Sequence, residues 1–200
     1  MNTNTFRVVL TGLCTVVNSN AATLYVNPLP TITLSAALYS SLIPGQQTTL
    51  TANVNPPGGN FTWFWNSSVL PGVNGSTITP VTVEGIGTYR AVYTDPNGCV
   101  ITSNDYLMNG TPSENLWVYP NPNKGFFEAR YYNQTGEPAT IMVFNAAGQL
   151  IYQRAFTTRL TYSSIVVDLT TRSYTAGVYI VKVVNSSGRE LAAKKVVVYH

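Results

Sequence analysis

The chain is poor in the residues that enzyme and metal sites need. Charged residues make up only 10% of its 200 residues, with 11 Lys and Arg, 8 Asp and Glu, and a single His, which is His200 at the terminus. Serine and cysteine nucleophiles therefore lack a histidine base, and no Cys or His spacing fits a zinc site. The carboxylates are dispersed, which disfavours a paired-carboxylate glycosidase site. We predict no catalytic residue, metal ligand or cofactor, and expect any catalytic domain to lie upstream.

The few charges are also unevenly placed. Residues 1–108 carry two arginines against three carboxylates, whereas residues 109–200 carry nine basic against five acidic residues. The basic residues are scattered, and their longest cluster is Lys194-Lys195. Nucleic-acid binding needs a basic stripe interleaved with aromatic residues. The sequence therefore predicts no nucleic-acid partner.

Long apolar runs and a cysteine framework are missing as well. Two cysteines, Cys14 and Cys99, cannot form the disulfide scaffold of a small secreted domain. No run approaches the roughly 20 apolar residues of a transmembrane helix. The chain is instead filled with Thr, Asn, Ser, Val and Tyr, residues typical of β-strands and turns. Together with 44% hydrophobic residues, this composition predicts an all-β protein with a packed core.

An internal repeat organises the first half. "TFRVVLTGLCTVVNSN" (residues 5–20) aligns with "TYRAVYTDPNGCVITSN" (residues 88–104), with one extra residue in the turn of the second copy. Such self-similarity indicates tandem domains. We predict that residues 1–27 are the C-terminal hairpin of a preceding repeat and that residues 28–108 are a whole repeat. The chain would then be the C-terminal part of a longer protein, and its two cysteines, at equivalent points, would be free thiols.

The whole repeat resembles the immunoglobulin-like fold in specific positions. "TTLTANV" (48–54) alternates as an inner strand, and "GTYRAV" (87–92) is placed like that fold's tyrosine corner. Ala52 and Ala91 stand where antibody domains carry the bridging cysteines. The resemblance implies an antiparallel β-sandwich without the inter-sheet disulfide.

The aromatic run "FTWFW" has two readings. Phe61, Trp63 and Trp65 share one face of a strand, where the fold keeps its core tryptophan, so we predict core packing. A sugar-stacking platform is the alternative. Phe64 faces the other way and is the better candidate for a surface contact.

The second half predicts a further β-sandwich. Period-2 runs separated by turn signals make about seven strands in roughly ninety residues. Before them, Pro120 and Pro122 lack backbone N–H groups and restrict their neighbours, so residues 119–123 should form a stiff, extended lead-in that turns at residues 123–125. The fold class predicted for the chain is all-β, with two consecutive immunoglobulin-like antiparallel β-sandwich domains.

Three motifs in order make residues 116–200 resemble the type A C-terminal sorting domain of the type IX secretion system, found in Bacteroidetes-like bacteria. They lie in "YPNPNKG", in "IMVFNAAGQLIYQ" and in the segment from "GVYIV" to "KKVVV". The matching residues are Tyr119, Pro120, Asn121, Pro122, Gly125, Val143, Asn145, Gly148, Ile151, Gly177, Tyr179, Gly188, Lys194, Lys195 and Val196.

This resemblance implies a non-enzymatic export signal. The outer-membrane translocon and its shuttle components would recognise the domain after passage through the periplasm, and a gingipain-like signal peptidase would then remove it. The mature protein would be secreted, or held at the cell surface on an anionic lipopolysaccharide. The expected cleavage linker, exposed and unpaired, consists of Asn109, Gly110, Thr111, Pro112, Ser113, Glu114 and Asn115.

Some motif residues also have purely structural explanations. Gly148 and Gly188 fit tight hairpin turns. Lys194 and Lys195 would protect an edge strand from pairing with other chains, or would dock on a receptor. The alternative function for the whole chain is a cell-surface adhesin or glycan-binding β-sandwich module whose last domain stays attached.

Overall fold

A computed structural model describes residues 3–133, 136–158, 161–171 and 174–200. Within these ranges the chain forms twenty β-strands and one short 3-10 helix at Val83–Gly85. The all-β prediction is confirmed. The strands divide into an N-terminal hairpin and two sandwiches.

The N-terminal hairpin stands by itself. Strand β1 pairs antiparallel with β4, and β2 pairs antiparallel with β3. Residues 3–29 are all exposed, so this hairpin has no core of its own. Its strands are β1 (Thr5–Phe6), β2 (Val9–Thr11), β3 (Val16–Asn18) and β4 (Ala22–Thr23).

The first sandwich packs two sheets face to face. One has the order β10-β7-β5, and the other has the order β6-β13-β11-β8-β9 with β12 paired to β11. All pairs are antiparallel except β6–β13, which is parallel. The strands are β5 (Thr31–Ala36), β6 (Ser41–Leu42), β7 (Thr48–Asn55), β8 (Asn60–Trp65), β9 (Ser68–Val69), β10 (Thr77–Val81), β11 (Gly87–Thr94), β12 (Val100–Thr102) and β13 (Tyr106–Gly110).

The core of this sandwich follows the predicted alternation. Ala52 on β7 and Ala91 on β11 are buried in the same core, one from each sheet, where a disulfide would otherwise link the sheets. Trp63 is fully buried, and its Nε1 donates to the Gly75 carbonyl at 2.9 Å. Core packing is thus its role. Phe64, on the other face, is half-buried with the Arg90 guanidinium 5.5 Å from its ring centre, so it is not an open sugar platform.

The second sandwich contains seven strands, as the sequence predicted. Its sheets have the orders β14-β15-β18 and β17-β16-β19-β20, and every pair in them is antiparallel. The strands are β14 (Trp117–Tyr119), β15 (Phe126–Asn133), β16 (Pro138–Phe144), β17 (Leu150–Thr157), β18 (Thr161–Asp168), β19 (Gly177–Asn185) and β20 (Glu190–Val198).

Both sandwiches contain a tyrosine corner. The Tyr89 hydroxyl donates to the carbonyl of Gly85, four residues earlier, at 2.6 Å. The Tyr179 hydroxyl donates in the same way to the Thr175 carbonyl at 2.7 Å. Both rings are buried, and burial raises the pKa of Tyr89 to about 12. Each corner fixes the chain where it enters a long central strand.

Replacing Tyr179 with phenylalanine should destabilise the second sandwich by about 1–2 kcal/mol, because the Thr175 carbonyl loses its donor at the edge of a packed core. Urea unfolding of the full chain measures this loss. The control is Tyr119→Phe, which removes a hydroxyl from a side chain that is 78% exposed and should change the free energy of unfolding little. Equal effects of the two changes would contradict a structural role for the corner.

Candidate functional site

The segment "YPNPNKG" (residues 119–125), which we call the opening motif of the second sandwich, is hydrogen-bonded to the last strand, β20. The Asn121 side chain accepts from the Val197 N–H at 2.9 Å and donates to the Lys195 carbonyl at 3.1 Å. The Asn123 backbone donates to the Val197 carbonyl at 3.0 Å and accepts from the Tyr199 N–H at 2.9 Å. The lead-in predicted at residues 119–123 is therefore bound along the last strand. The prolines end β14, and the asparagines then attach the motif to the outer edge of β20.

Asn123 is the centre of this attachment. It is only 2% exposed; its side-chain oxygen accepts from the Gly125 N–H at 2.8 Å, and its amide donates to the Pro120 carbonyl at 3.3 Å. Gly125 has φ of +82°, and a Cβ there would lie 2.8 Å from the Tyr174 ring. Asn123 is absent from the site residues that the sequence predicted. The signal was present, because an Asn two residues before a Gly is typical of an Asx turn.

Strand register brings most of the motif residues to one end of the second sandwich. Phe144 pairs with Ile180, and Gly177 pairs with Val198. The turn after β16, the start of β19 and the end of β20 therefore lie together, beside the opening motif. Gly188 is at the opposite end, in the turn that joins β19 to β20. We call the shared end, with the opening motif and the second half of β20, the motif end.

Most of the predicted site residues fall into two groups. Val143, Tyr179 and Val196 are buried in the core, with Ile151 packed against it, so these residues maintain the fold. Tyr119, Pro120, Asn121 and Pro122, together with Gly148, Gly177, Gly188, Lys194 and Lys195, are exposed. Exposed side chains at the motif end are the ones a receptor could touch.

The last strand is an edge strand. β20 pairs with β19 on one side only, and Asn121 and Asn123 cover part of its other side. Lys194 and Lys195 are exposed on it. Charges on an edge strand discourage pairing with other chains. The same exposure leaves both ammonium groups available for contact.

The two predicted hairpin turns share one pattern of hydrogen bonds. The Asn145 side-chain oxygen accepts from the Ala147 and Gln149 N–H groups at 3.0 and 2.9 Å. Asn185 holds the turn at Gly188 with the equivalent bonds. Gly148 and Gly188 have φ of +77° and +78°, which glycine adopts without steric cost. These glycines are thus required by local geometry.

The predicted cleavage linker is shorter than the sequence indicated. Asn109 and Gly110 belong to β13 and pair in parallel with Ser41 and Leu42, and the Thr111 N–H donates to the Leu42 carbonyl at 2.8 Å. Parallel pairing with a strand nearly seventy residues away leaves no local signal. The sequence alone therefore could not show that this Asn-Gly pair belongs to a strand and not to the linker. Of the predicted linker, residues 111–115 lie outside strands, and the backbone bond of Thr111 to Leu42 leaves 112–115 as the segment beyond this pairing.

Both ends of this linker are held. Before it, the Tyr162 hydroxyl of β18 donates to the Thr111 carbonyl at 2.9 Å, and the Tyr162 ring packs against the first core. After it, Leu116 is buried in the second core. Residues 112–115 thus bridge two sandwiches that touch each other.

An ion pair adds to the contact between the sandwiches. Arg130 of β15 contacts Glu84 of the first sandwich, and it also bonds Glu128 at 3.0 Å. Partial burial raises the pKa of Glu84, but the Thr82 hydrogen bond and the Arg130 charge outweigh it, and the pKa lies below its ordinary value. Since the Glu84 side chain is about half exposed, solvent screens this pair and its contribution is small.

Other chemistry is limited in the part of the chain that the structure describes. No group of three or more His, Cys, Asp or Glu residues there is arranged to hold a metal ion. Cys14 and Cys99 are unbridged, as predicted. Among the described residues, no helix has the length and apolar character to span a bilayer.

Comparison with protein families identifies the second sandwich. Residues 117–199 match the family described as "Secretion system C-terminal sorting domain". This domain is a member of that family. The prediction of a type IX sorting domain is thereby confirmed, and the domain implies a secreted or cell-surface protein. No curated protein matches the chain.

Solved structures show distant likeness across both sandwiches. The human OSCAR ligand-binding domain is 17% identical, with 84% of this chain and 97% of that chain covered and a TM-score of 0.34. The mouse nectin-like molecule 4 ectodomain is 16% identical, with 84% and 64% covered and a TM-score of 0.31. A bacterial ice-binding adhesin is 15% identical, with 86% and 64% covered and a TM-score of 0.31. These scores are low, so the fold assignment rests on strand order and the tyrosine corners of the chain itself.

Proposed function

We propose that residues 116–200 are the signal by which the type IX translocon of the outer membrane, with its shuttle components, exports this protein from the periplasm. The role is non-enzymatic. The observation that carries the proposal is the motif end, where the opening motif is hydrogen-bonded to the last strand at Lys195, Val197 and Tyr199. The family match of residues 117–199 supports it.

The receptor would bind a surface that exists only in the folded domain. Asn121 and Asn123 hold residues more than seventy positions apart in the chain, so the opening motif and the basic end of β20 form one surface only when the sandwich is folded. Tyr119, Pro120 and Pro122 supply its exposed apolar part, and Lys194 and Lys195 supply its charge. A rigid surface of this kind loses little conformational entropy on binding.

Cleavage is proposed to follow export. Residues 112–115 lie outside strands, between Thr111 and the buried Leu116, and proteases need such a segment. A gingipain-like peptidase of the cell surface would cut there. The sorting domain would leave, and the mature protein would be released or attached to an anionic lipopolysaccharide.

The test places residues 1–200 behind a fluorescent reporter with an inner-membrane export signal. It is expressed in a type IX-competent bacterium and in a translocon-deficient sibling, and mass spectrometry locates the reporter's new C-terminus. We expect surface or medium localisation in the competent strain alone, with the cut in residues 112–115. Reporter retained in the periplasm of both strains would refute the export role. Export with an uncut domain would refute cleavage alone and favour a retained adhesin-like module.

A further inference from the structure

The N-terminal hairpin repeats the hydrogen bonds of the first sandwich. The Val8 N–H donates to the Ser19 hydroxyl at 2.9 Å, and the Ser19 N–H donates to the Val8 carbonyl at 2.9 Å. Ala91 and Ser103 make the same two bonds at 3.0 and 2.9 Å. In both places the serine hydroxyl also donates to the next carbonyl at 2.9 Å. A plain two-stranded hairpin does not require this arrangement, so the two segments are copies of one structural unit.

Strand register agrees with this equivalence. The pairs on the first strand of each unit fall at the positions that the sequence repeat aligns. The equivalent pairs are Phe6–Ala22 with Tyr89–Tyr106, and Leu10–Val17 with Tyr93–Ile101.

One face of the hairpin is mostly apolar. Directly paired and alternate residues of a hairpin share a face. We define the hairpin face by its apolar members, which are Phe6, Val8, Leu10, Val17, Ala22 and Leu24. The polar Ser19 lies among them, opposite Val8. The opposite face carries Arg7, Val9 and Thr11 among others.

Equivalent positions of the N-terminal hairpin and of the first sandwich differ sharply in burial. Phe6, Val8 and Leu10 are 55%, 61% and 65% exposed. Their counterparts on β11 are 3%, 0% and 0% exposed, covered in the sandwich that the β10-β7-β5 sheet completes. That covering sheet presents uncharged side chains such as Leu50, Ala52 and Val81. The hairpin face is uncharged too, and an apolar face of this extent marks an interaction surface.

We propose that the hairpin face docks against the three-stranded sheet of another immunoglobulin-like repeat, equivalent to β10-β7-β5. The hairpin supplies the strands equivalent to β11, β12 and β13 and so completes that sandwich. Val8 takes the place of Ala91, opposite the counterpart of Ala52. Phe6 takes the place of the corner tyrosine.

The test provides the missing sheet from this chain's own repeat. A second copy of residues 28–87 is joined directly before Thr5 of the chain, so that Gly87 precedes Thr5 as it precedes Thr88. Cys14 and Cys99 are changed to serine. The added copy carries Ala52→Cys, and the hairpin carries Val8→Cys. The matched control carries Val9→Cys, on the opposite face, in place of Val8→Cys.

We expect oxidised glutathione to link the two introduced thiols in most molecules of the Val8→Cys variant, and the Val9→Cys control to form at least fivefold less of its disulfide. Hydrogen exchange at the hairpin amides should slow by tenfold or more relative to the chain without the added copy. Equal linkage in the two variants, or linkage in neither, would overturn the proposal. An added copy that stays unprotected from exchange would also overturn it.

Discussion

Changing Val196 to asparagine is expected to abolish export of a reporter carried by this chain. Val196 is fully buried on the last strand, so the substitution removes apolar packing and places an amide in a core without partners. The two effects together should cost about 3–5 kcal/mol, a large part of the stability of a small domain. The measurement is reporter localisation, with hydrogen exchange over residues 116–200 as the readout of folding.

The matched control is Val197→Asn. Val197 is the next residue on the same strand, 42% exposed, and its backbone bonds to Asn121 and Asn123 do not involve its side chain. Export with this variant should resemble that of the parent. Export of both variants would show that the translocon recognises a linear segment of the chain and does not require a folded surface. Loss of both would mean that the outer side chains of β20 are themselves essential.

Asn123→Ala should destabilise the sorting domain by about 1–3 kcal/mol. The change leaves the buried Gly125 N–H without its acceptor, and an unsatisfied buried group costs about 1–3 kcal/mol. The Pro120 carbonyl also loses a donor, but Pro120 is exposed, so water can replace that bond. Since the Asn123 carbonyl accepts from the Tyr199 N–H, a shift of the Asn123 backbone should also make exchange of the Tyr199 amide faster. Urea unfolding and hydrogen exchange of the full chain measure the two effects.

Asn145→Ala is the control for this change. Asn145 also accepts two backbone N–H bonds in a turn before a glycine, but its turn is exposed, so water can replace the lost bonds. Its loss should stay below about 1 kcal/mol. Similar losses for Asn123 and Asn145 would mean that the opening motif is no more than an ordinary turn, and the motif end would lose its structural basis.

These two predictions depend on one property of the sorting domain. The opening motif and the last strand stabilise each other, although more than seventy residues separate them. A change at either end should therefore weaken the surface proposed for the receptor. The cut at residues 112–115 would lie just before this coupled unit and leave it intact.

The sequence by itself determined the features that repeat at short range. Alternation of apolar and polar residues predicted all seven strands of the sorting domain, because side chains of a strand alternate between core and solvent. The Asn-x-x-Gly turns and the two tyrosine corners were also readable, since their partners lie within four residues. The repeat around Ser19 and Ser103 was visible as aligned letters.

Tertiary structure alone decided what those elements meet. Asn121 hydrogen-bonds to Val197, Gly110 pairs with Leu42 and Arg130 forms an ion pair with Glu84. Local periodicity in the sequence does not encode contacts at these separations. This is why the sequence showed no partner for the opening motif, and why the linker was expected to begin at Asn109. Local periodicity assigns each residue a face and a turn. Which distant strand edge satisfies its hydrogen bonds depends on the packing of the whole sandwich.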